Sequence, residues 1–492
     1  MLILFLSSSI FAQWEELCSD MNIKGVFKKD YNNYLKGDTF LLNRVLYAKN
    51  KTTPLMIYLS LNINDFNFGL PLRDYKAIEL HPEDVKGIWH RIFIEKKMFQ
   101  HYDKGLNYDL RNELYTESVD YINNLSSSGL IYEDIILEDY VHSVLLKIMP
   151  QNLYNKLPGK NNIYIMKSPA PDNYILANGS LIISTGLLSI LDSEEELMAV
   201  LTSDLAHYVL DHSLINIKKA ISRANRAEFW GGIANALVAV GEEYLYYNNE
   251  YYIPGTLSFS TAIVSAAIWS QINQRMGMDY TDTQVREADF IAKYLLSKLN
   301  MNPTALSTAL TKINNYYHER KDFYPLSENG HFYKLDERIK ALGEISEFND
   351  RHYKRQISGV TTFNAITQIV SKDYEAALSF VNRNIDNKVA SDEDYVIWAK
   401  AQMGLSTAPE DNEKCLEYIE KAIRMSNTPN LNAYKQKILV LIRMNKNYQM
   451  ERAVQDYLDL LHQYQAQSYS GDDINWVLKE VSWANKLLVK KS

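Results

Sequence analysis

Cysteine is scarce in this sequence. Its 492 residues include only two cysteines, Cys18 and Cys415, which lie far apart in the chain. Two widely separated thiols cannot form a disulfide framework or a cysteine-based zinc site. The composition therefore excludes small disulfide-stapled proteins and zinc fingers, and no pattern indicates a bridge between the two residues.

An excess of basic residues is also missing. The chain has 52 lysines and arginines against 60 aspartates and glutamates, which gives a formal net charge of −8. Proteins that bind nucleic acids present a basic patch to the phosphates, so we predict no nucleic-acid partner. The acidic excess is typical of a solvated surface that aids solubility.

The sequence has no apolar segment of the roughly 20 residues that cross a bilayer as a helix. The first residues, MLILFLSSSIFAQ, resemble a secretory signal peptide over 1–12 with cleavage after Ala12. This run lacks a basic start, which leaves open a start codon further upstream. We predict an exported protein of the periplasm or cell envelope. The apolar stretches 229–241 and 258–269 have the length of buried core helices, so we expect no integral membrane span.

Local patterns in the first third of the chain are mixed. Residues 14–50 are polar and give no clear pattern, whereas 53–72 are rich in β-formers and predict one or two strands. A charged helical pattern follows over 82–125. We therefore predict an N-terminal α+β region over 13–130.

The middle of the chain alternates short strands and helices. Helical spacing over 131–149 is followed by short strand patterns near Asn161 and Asn178. A longer helix begins at Ser193, whose hydroxyl can cap its first turn. The acidic residues 194–196 suit the positive end of its dipole.

Residues 360–492 read as helix throughout and contain a weak internal repeat. Aligning Ala376, Cys415 and Ala453 gives spacings of 39 and 38 residues. This resembles tetratricopeptide repeats, whose period is about 34 residues, although a plain helical bundle has the same local pattern. Stacked helix pairs leave a concave face that docks polypeptides, so we expect a polypeptide or envelope-protein partner here.

Four blocks in order resemble the M48 family of zinc metallopeptidases, in its exported form with a C-terminal tetratricopeptide-like region. They are DNYILANGSLIISTGLLSIL from Asp172, EEELMAVLTSDLAHYVLDHSL from Glu194, READFIAKYLL from Arg286 and HFYKLDERIKAL from His331. The resemblance implies an α+β fold. A mainly helical, zincin-like domain over 131–350 would precede the all-α domain.

A zincin binds its metal through two histidines one turn apart and a third ligand from another helix, and a glutamate beside the first histidine polarises the water. In the M48 family the third ligand is a glutamate four residues before the aspartate of the Glu-Ala-Asp block. Carried over, the first histidine is Ser203, the general base is Asp204 and the second histidine is His207. Val285 stands at the third ligand position, four residues before Asp289.

One metal ligand position, His207, is therefore retained. A serine hydroxyl is a poor zinc ligand and a valine offers no lone pair, so we expect no zinc and a catalytically silent domain. Asp289, which would ordinarily orient a ligand imidazole, should bond Ser203 or His207. His212 and His331 are the remaining residues expected around this position.

A different metal site is the alternative. Asp204, His207 and Asp211 share one helical face. Glu287, Asp289, His212 and His331 could complete a mixed oxygen and nitrogen set for a metal other than zinc.

These readings predict an M48-like pseudopeptidase that acts by binding, as a scaffold, chaperone-like factor or regulator of envelope proteins. The alternative function is an active metalloendopeptidase with a non-standard metal site. It would use zinc or another metal held by residues outside the expected set.

Overall fold

The computed structural model describes residues 13–18, 21–50, 53–98, 106–149, 162–221, 276–319, 334–467 and 471–489. The proposed signal peptide, the apolar stretches 229–241 and 258–269, and His331 lie outside these residues. None of the described helices is both long and apolar enough to cross a membrane.

The N-terminal region is an antiparallel sheet that shares its core with one helix. Its strands are β1 Gln13–Cys18, β2 Ile23–Phe27, β3 Thr39–Asn50, β4 Thr53–Ile63, β5 Phe66–Pro71 and β6 Ile78–His81. The order is β5-β4-β3-β2-β6, and β1 also pairs with β3. A 3₁₀ turn, Leu72–Ala77, precedes β6, and α1 (Val85–Glu95) follows it. The strands predicted over 53–72 are confirmed as β4 and β5, whereas β2 and β3 lie in a stretch that showed no clear pattern.

The middle of the chain builds a helical layer around a small sheet. Its strands are β7 Ile163–Met166, β8 Asn173–Ile175 and β9 Leu181–Ser184, in the order β7-β9-β8. Its helices are α2 Leu106–Ser127, α3 Ile135–Leu146, α4 Thr185–Ile190, α5 Glu194–Val209, α6 His212–Ile221, α7 Asp282–Lys298, α8 Ala305–Glu319 and α9 Leu335–Leu342. This confirms the α+β fold class, with helices predominating.

Helix α5 is the centre of this layer. It packs against α3, α7, α8 and β8, and every residue from Glu196 to Val209 is buried. Ser193 caps it, since its Oγ accepts the Glu196 backbone N–H at 3.2 Å. The predicted cap is confirmed, and the rigid, buried helix holds every side chain on it in a defined direction.

The C-terminal part is entirely helical where it is described. Its helices are α10 Arg351–Gln356, α11 Ser358–Val370, α12 Tyr374–Asp386, α13 Asp392–Leu405, α14 Pro409–Met425, α15 Leu431–Arg443, α16 Asn447–Gln467 and α17 Gly471–Val489. From α11 onward each helix packs against the next. The aligned residues Ala376, Cys415 and Ala453 fall on the alternate helices α12, α14 and α16, and all three are buried.

A cluster of ions joins the C-terminal helices to the start of α5. Asp192, just before α5, accepts Lys312 of α8 at 2.5 Å, Arg383 of α12 at 2.8 Å and Lys354 of α10 at 3.2 Å. Burial raises the pKa of Asp192, but the three cations outweigh burial and hold that pKa below its ordinary value. Asp192 is therefore an ionised centre that links three helices.

Replacing Asp192 by asparagine should lower the thermal midpoint at neutral pH, because three cations lose their shared carboxylate. The contribution is about 1–3 kcal/mol. Since the folded pKa lies below the unfolded one, the carboxylate stabilises the fold above the unfolded pKa, and this contribution is lost as the pH falls through the folded pKa. The difference in thermal midpoint between wild type and Asp192→Asn should therefore shrink from pH 7 towards pH 3.

Asp139→Asn, at an exposed position of α3, is the control. A difference that is equal at both pH values would contradict this account.

Candidate functional site

Ser203 occupies the first ligand position and faces the Glu-Ala-Asp helix. Its Oγ donates to Asp289 Oδ1 at 3.3 Å, which is one of the two contacts expected for Asp289. Arg338 of α9 binds the same carboxylate twice, with Nε 2.9 Å from Oδ2 and Nη2 2.8 Å from Oδ1. All three side chains are buried. Two short bonds between a guanidinium and a carboxylate are stronger than one longer bond from a neutral hydroxyl, so Arg338 is the main partner of Asp289.

Asp204 stands where a general base would lie, and it is bound to the small sheet. Its Oδ2 accepts from the Asn173 side-chain amide at 2.6 Å, and the residue is fully buried. Burial also raises the pKa of the adjacent Asp172 well above its ordinary value, and the charge of Asp204 adds to that rise. Asp204 therefore acts as a hydrogen-bond acceptor that anchors α5 to β8.

His207, the retained ligand position, is held by two aromatic neighbours. Its Nδ1 lies 3.0 Å from Nδ1 of His212, so one ring donates and the other accepts. The His207 ring also stacks on Tyr280, with centroids 3.7 Å apart and planes 26° apart. The Tyr280 hydroxyl lies 3.2 Å from Ser213 Oγ. The imidazole thus stacks on one tyrosine and is directed at a second histidine.

His212 connects this pair to a surface ion pair. Its Nε2 lies 3.5 Å from Glu287 Oε2, and Glu287 also pairs with Lys96. The hydrogen bond from His212, with a further contribution from Lys96, lowers the pKa of Glu287 to about 2 despite partial burial. Glu287 is therefore ionised at neutral pH, and its charge is compensated within the protein.

Val285 at the third ligand position belongs to the hydrophobic core. It is 2% exposed and one turn before Asp289 on the same face of α7. It packs in an apolar cluster that includes Tyr121, Met166, Tyr174, Met276, Met278 and Tyr280. Val285 shares this cluster with Tyr280, whose ring stacks on His207, and it supplies only apolar surface.

The alternative metal set is not assembled among the described residues. Asp211, with φ of 56°, directs both carboxylate oxygens to the guanidinium of Arg111. Asp204 and Asp289 are bound to Asn173 and Arg338, as described above. No group of three or more histidine, cysteine, aspartate or glutamate residues in the described ranges is placed to hold a metal ion.

The residues at the M48 metal position do not fit zinc. The Ser203 hydroxyl is directed at Asp289 and Val285 has no donor atom, so His207 is the one side chain of the three that can bind zinc. A zinc site needs three protein ligands and an open fourth position.

Sequence reasoning missed several partners at this site. Tyr280 and Asn173 are placed by tertiary packing, and no local pattern distinguishes them. Arg338 lies in the block HFYKLDERIKAL that carried part of the resemblance, so its importance was signalled, although its pairing with Asp289 was not. The Arg111–Asp211 pair was not anticipated either.

Comparison with known proteins bears on the origin of this arrangement. The model of Peptidase family M48 matches residues 136–376, from the start of α3 into α12. The match includes Ser203, His207, Val285, Asp289 and Arg338, and it ends beyond the predicted boundary at 350. No curated protein matches the chain significantly. Residues 136–376 therefore form a domain of peptidase family M48.

Proposed function

We propose that this protein is an M48-type pseudopeptidase, which binds polypeptides instead of cleaving them. The observation that carries the proposal is the engagement of two of the three ligand positions elsewhere, since the Ser203 hydroxyl bonds Asp289 and Val285 packs in an apolar cluster. With Ser203 and Val285 at these two positions, the domain lacks the donor set that would activate a water.

The charges around the site support the same proposal. A metallopeptidase needs a general base beside its metal-bound water, but Asp204 is shorter than glutamate and is bound to Asn173. The charge of Asp289 is balanced by Arg338. The polar groups that surround this position therefore stabilise one another and the fold.

The cellular role we propose is a scaffold, chaperone-like or regulatory one for envelope proteins. Export rests on residues 1–12 of the sequence, and polypeptide docking rests on the stacked C-terminal helices. The net charge of −8 disfavours a nucleic-acid partner. Fold alone does not establish activity, because function depends on the site.

Full-length protein purified without chelator should contain much less than one zinc per chain and should not cleave casein in a chelator-sensitive manner. The reason is the missing ligand set. Metal content is measured by elemental analysis, and cleavage by release of labelled peptides with and without chelator. His207→Phe is the control, because cleavage that persists unchanged in this variant comes from a contaminant. Stoichiometric zinc, together with chelator-sensitive cleavage that His207→Phe abolishes, would establish the active metalloendopeptidase instead.

A further inference from the structure

A cavity of about 730 Å³ lies against the C-terminal helices, away from the M48 site. Its walls come from α11, from the N-terminal ends of α13 and α15 with their preceding loops, and from α16. Tyr132, just before α3, closes one side. A volume of this size is typical of pockets that bind ligands.

The lining of this cavity is acidic. Asp392, Glu393 and Asp394 all line it, and no lysine, arginine or histidine is among its described lining residues. Two of these carboxylates are engaged within the protein. Asp394 accepts from Thr362 at 2.8 Å, and Asp392 accepts from Asn430 at 2.9 Å. The first bond joins α11 to the start of α13, and the second joins α13 to the residue before α15. Glu393 is the carboxylate with the fewest partners.

Glu393 is a partly compensated charge. Its Oε2 accepts from Asn430 at 2.9 Å, whereas its buried Oε1 has no hydrogen-bond partner in the described structure. Burial raises the pKa of Glu393 to about 7, and the charge of Asp394 adds to the rise, even though Asn430 and Asn432 act in the opposite direction. Lys400 also lowers this pKa but does not line the cavity, so the carboxylate is only partly compensated and a positive charge that enters the cavity would be stabilised.

The other walls of the cavity suit the aliphatic stem of a lysine or arginine side chain and offer aromatic rings to its cationic head. Phe363, Ile366 and Leu460 supply apolar surface, and Tyr132 and Tyr464 supply aromatic rings. Lysine and arginine carry an aliphatic stem that packs on apolar surface and a cationic head that aromatic rings and carboxylates stabilise. The cavity combines these features in one place.

We propose that this cavity binds a lysine or arginine side chain of an extended polypeptide segment. The inference rests on the proposed function, because it names the chemistry of the bound polypeptide. A bare metal ion is a poorer match, since the described carboxylates do not form a group of three that could hold one. The basic head would lie near Glu393, and the polypeptide would continue along the groove between α11 and α16.

The test uses full-length protein and three labelled, end-blocked peptides, in which alanine alternates with lysine, acetyl-lysine or glutamate. Fluorescence polarisation should show binding of the lysine peptide only. Glu393→Gln should weaken that binding about tenfold, the equivalent of one charge-assisted contact. Glu413→Gln, which makes the same charge change at an exposed α14 position outside the cavity, should have no effect.

Binding should also depend on pH in a defined direction. Lysine stays protonated between pH 6 and pH 8, whereas Glu393 loses its proton across this range, so affinity should rise with pH. The other charged or titratable groups near Glu393 are Asp392, Asp394, Tyr132, Tyr464 and Lys400. Burial raises the pKa of Tyr132 to about 12, which keeps it neutral throughout. Glu393→Gln should remove the dependence on pH, and unchanged circular dichroism will show that the variant is folded.

Three results would overturn the proposal. They are no binding of the lysine peptide to wild type, equal binding of the acetyl-lysine peptide, and equal loss of affinity in the Glu413 and Glu393 variants. None of them bears on zinc content or casein cleavage, so failure of this site and failure of the pseudopeptidase proposal are distinguishable.

Discussion

Replacing Arg338 by methionine should destabilise the protein by about 3–5 kcal/mol, which is the usual cost of removing one partner from a buried ion pair. Arg338 and Asp289 are 5% and 3% exposed, and the guanidinium makes two short bonds to the carboxylate. Without it, Asp289 would keep the Ser203 hydroxyl at 3.3 Å as its described polar partner. A neutral hydroxyl cannot balance a buried charge.

Removing the unpaired Asp289 carboxylate should restore most of the lost stability. The double variant Arg338→Met with Asp289→Leu should be far more stable than Arg338→Met alone, because an apolar pair of similar volume replaces the ion pair. Arg286→Met on α7, the helix that carries Asp289, is the control. Arg286 makes exposed ion pairs with Asp282 and Glu337, and such pairs contribute little. Thermal and denaturant unfolding measure all three. Equal stability of the single and double variants would show that the buried charge is not the cause.

The second large effect concerns the metal. The triple variant Ser203→His, Asp204→Glu and Val285→Glu should bind zinc more than ~100-fold more tightly than wild type, because it restores the three-ligand set and the base. Ser203 and Asp289 are in contact, and Val285 lies one turn from Asp289, in the same cluster as the Tyr280 ring that stacks on His207. The new side chains would therefore surround the retained histidine.

The structure adds a cost to this variant. Val285→Glu places a carboxylate in an apolar cluster, so the metal-free triple variant should unfold at a lower temperature than wild type. Zinc should then raise its thermal midpoint strongly, since ligand binding to the folded state stabilises it.

Calorimetric titration with zinc and thermal unfolding with and without zinc will test this. A variant with Val285→Gln in place of Val285→Glu is the matched control, because the amide has a similar volume and is a poor zinc ligand. Equal zinc affinity in wild type and in the triple variant would contradict our account of the site.

Much of the fold follows from local patterns. Ser193 and the acidic residues after it predicted where α5 begins, and the helical periodicity beyond 360 predicted helices there. In contrast, β2 and β3 were not predicted, because residues 14–50 are polar and irregular in sequence. Those strands form because β3 pairs with its neighbours over a long register, and pairing energy between distant strands is not visible in one strand alone.

The loss of two zinc ligands, at Ser203 and Val285, was determined by the sequence alone, because no tertiary arrangement can give valine a lone pair. The likeness to the M48 family was also visible in the order of four short blocks.

Only the tertiary structure decided what the remaining polar groups do. Asn173 binds Asp204 across 31 residues, and Arg338 binds Asp289 across 49. The stacking of Tyr280 on His207 and the acidic cavity beside Glu393 likewise join segments distant in sequence. Periodicity reports which face of an element is buried, whereas the choice of partner for a buried charge or ring depends on which faces meet when the elements pack.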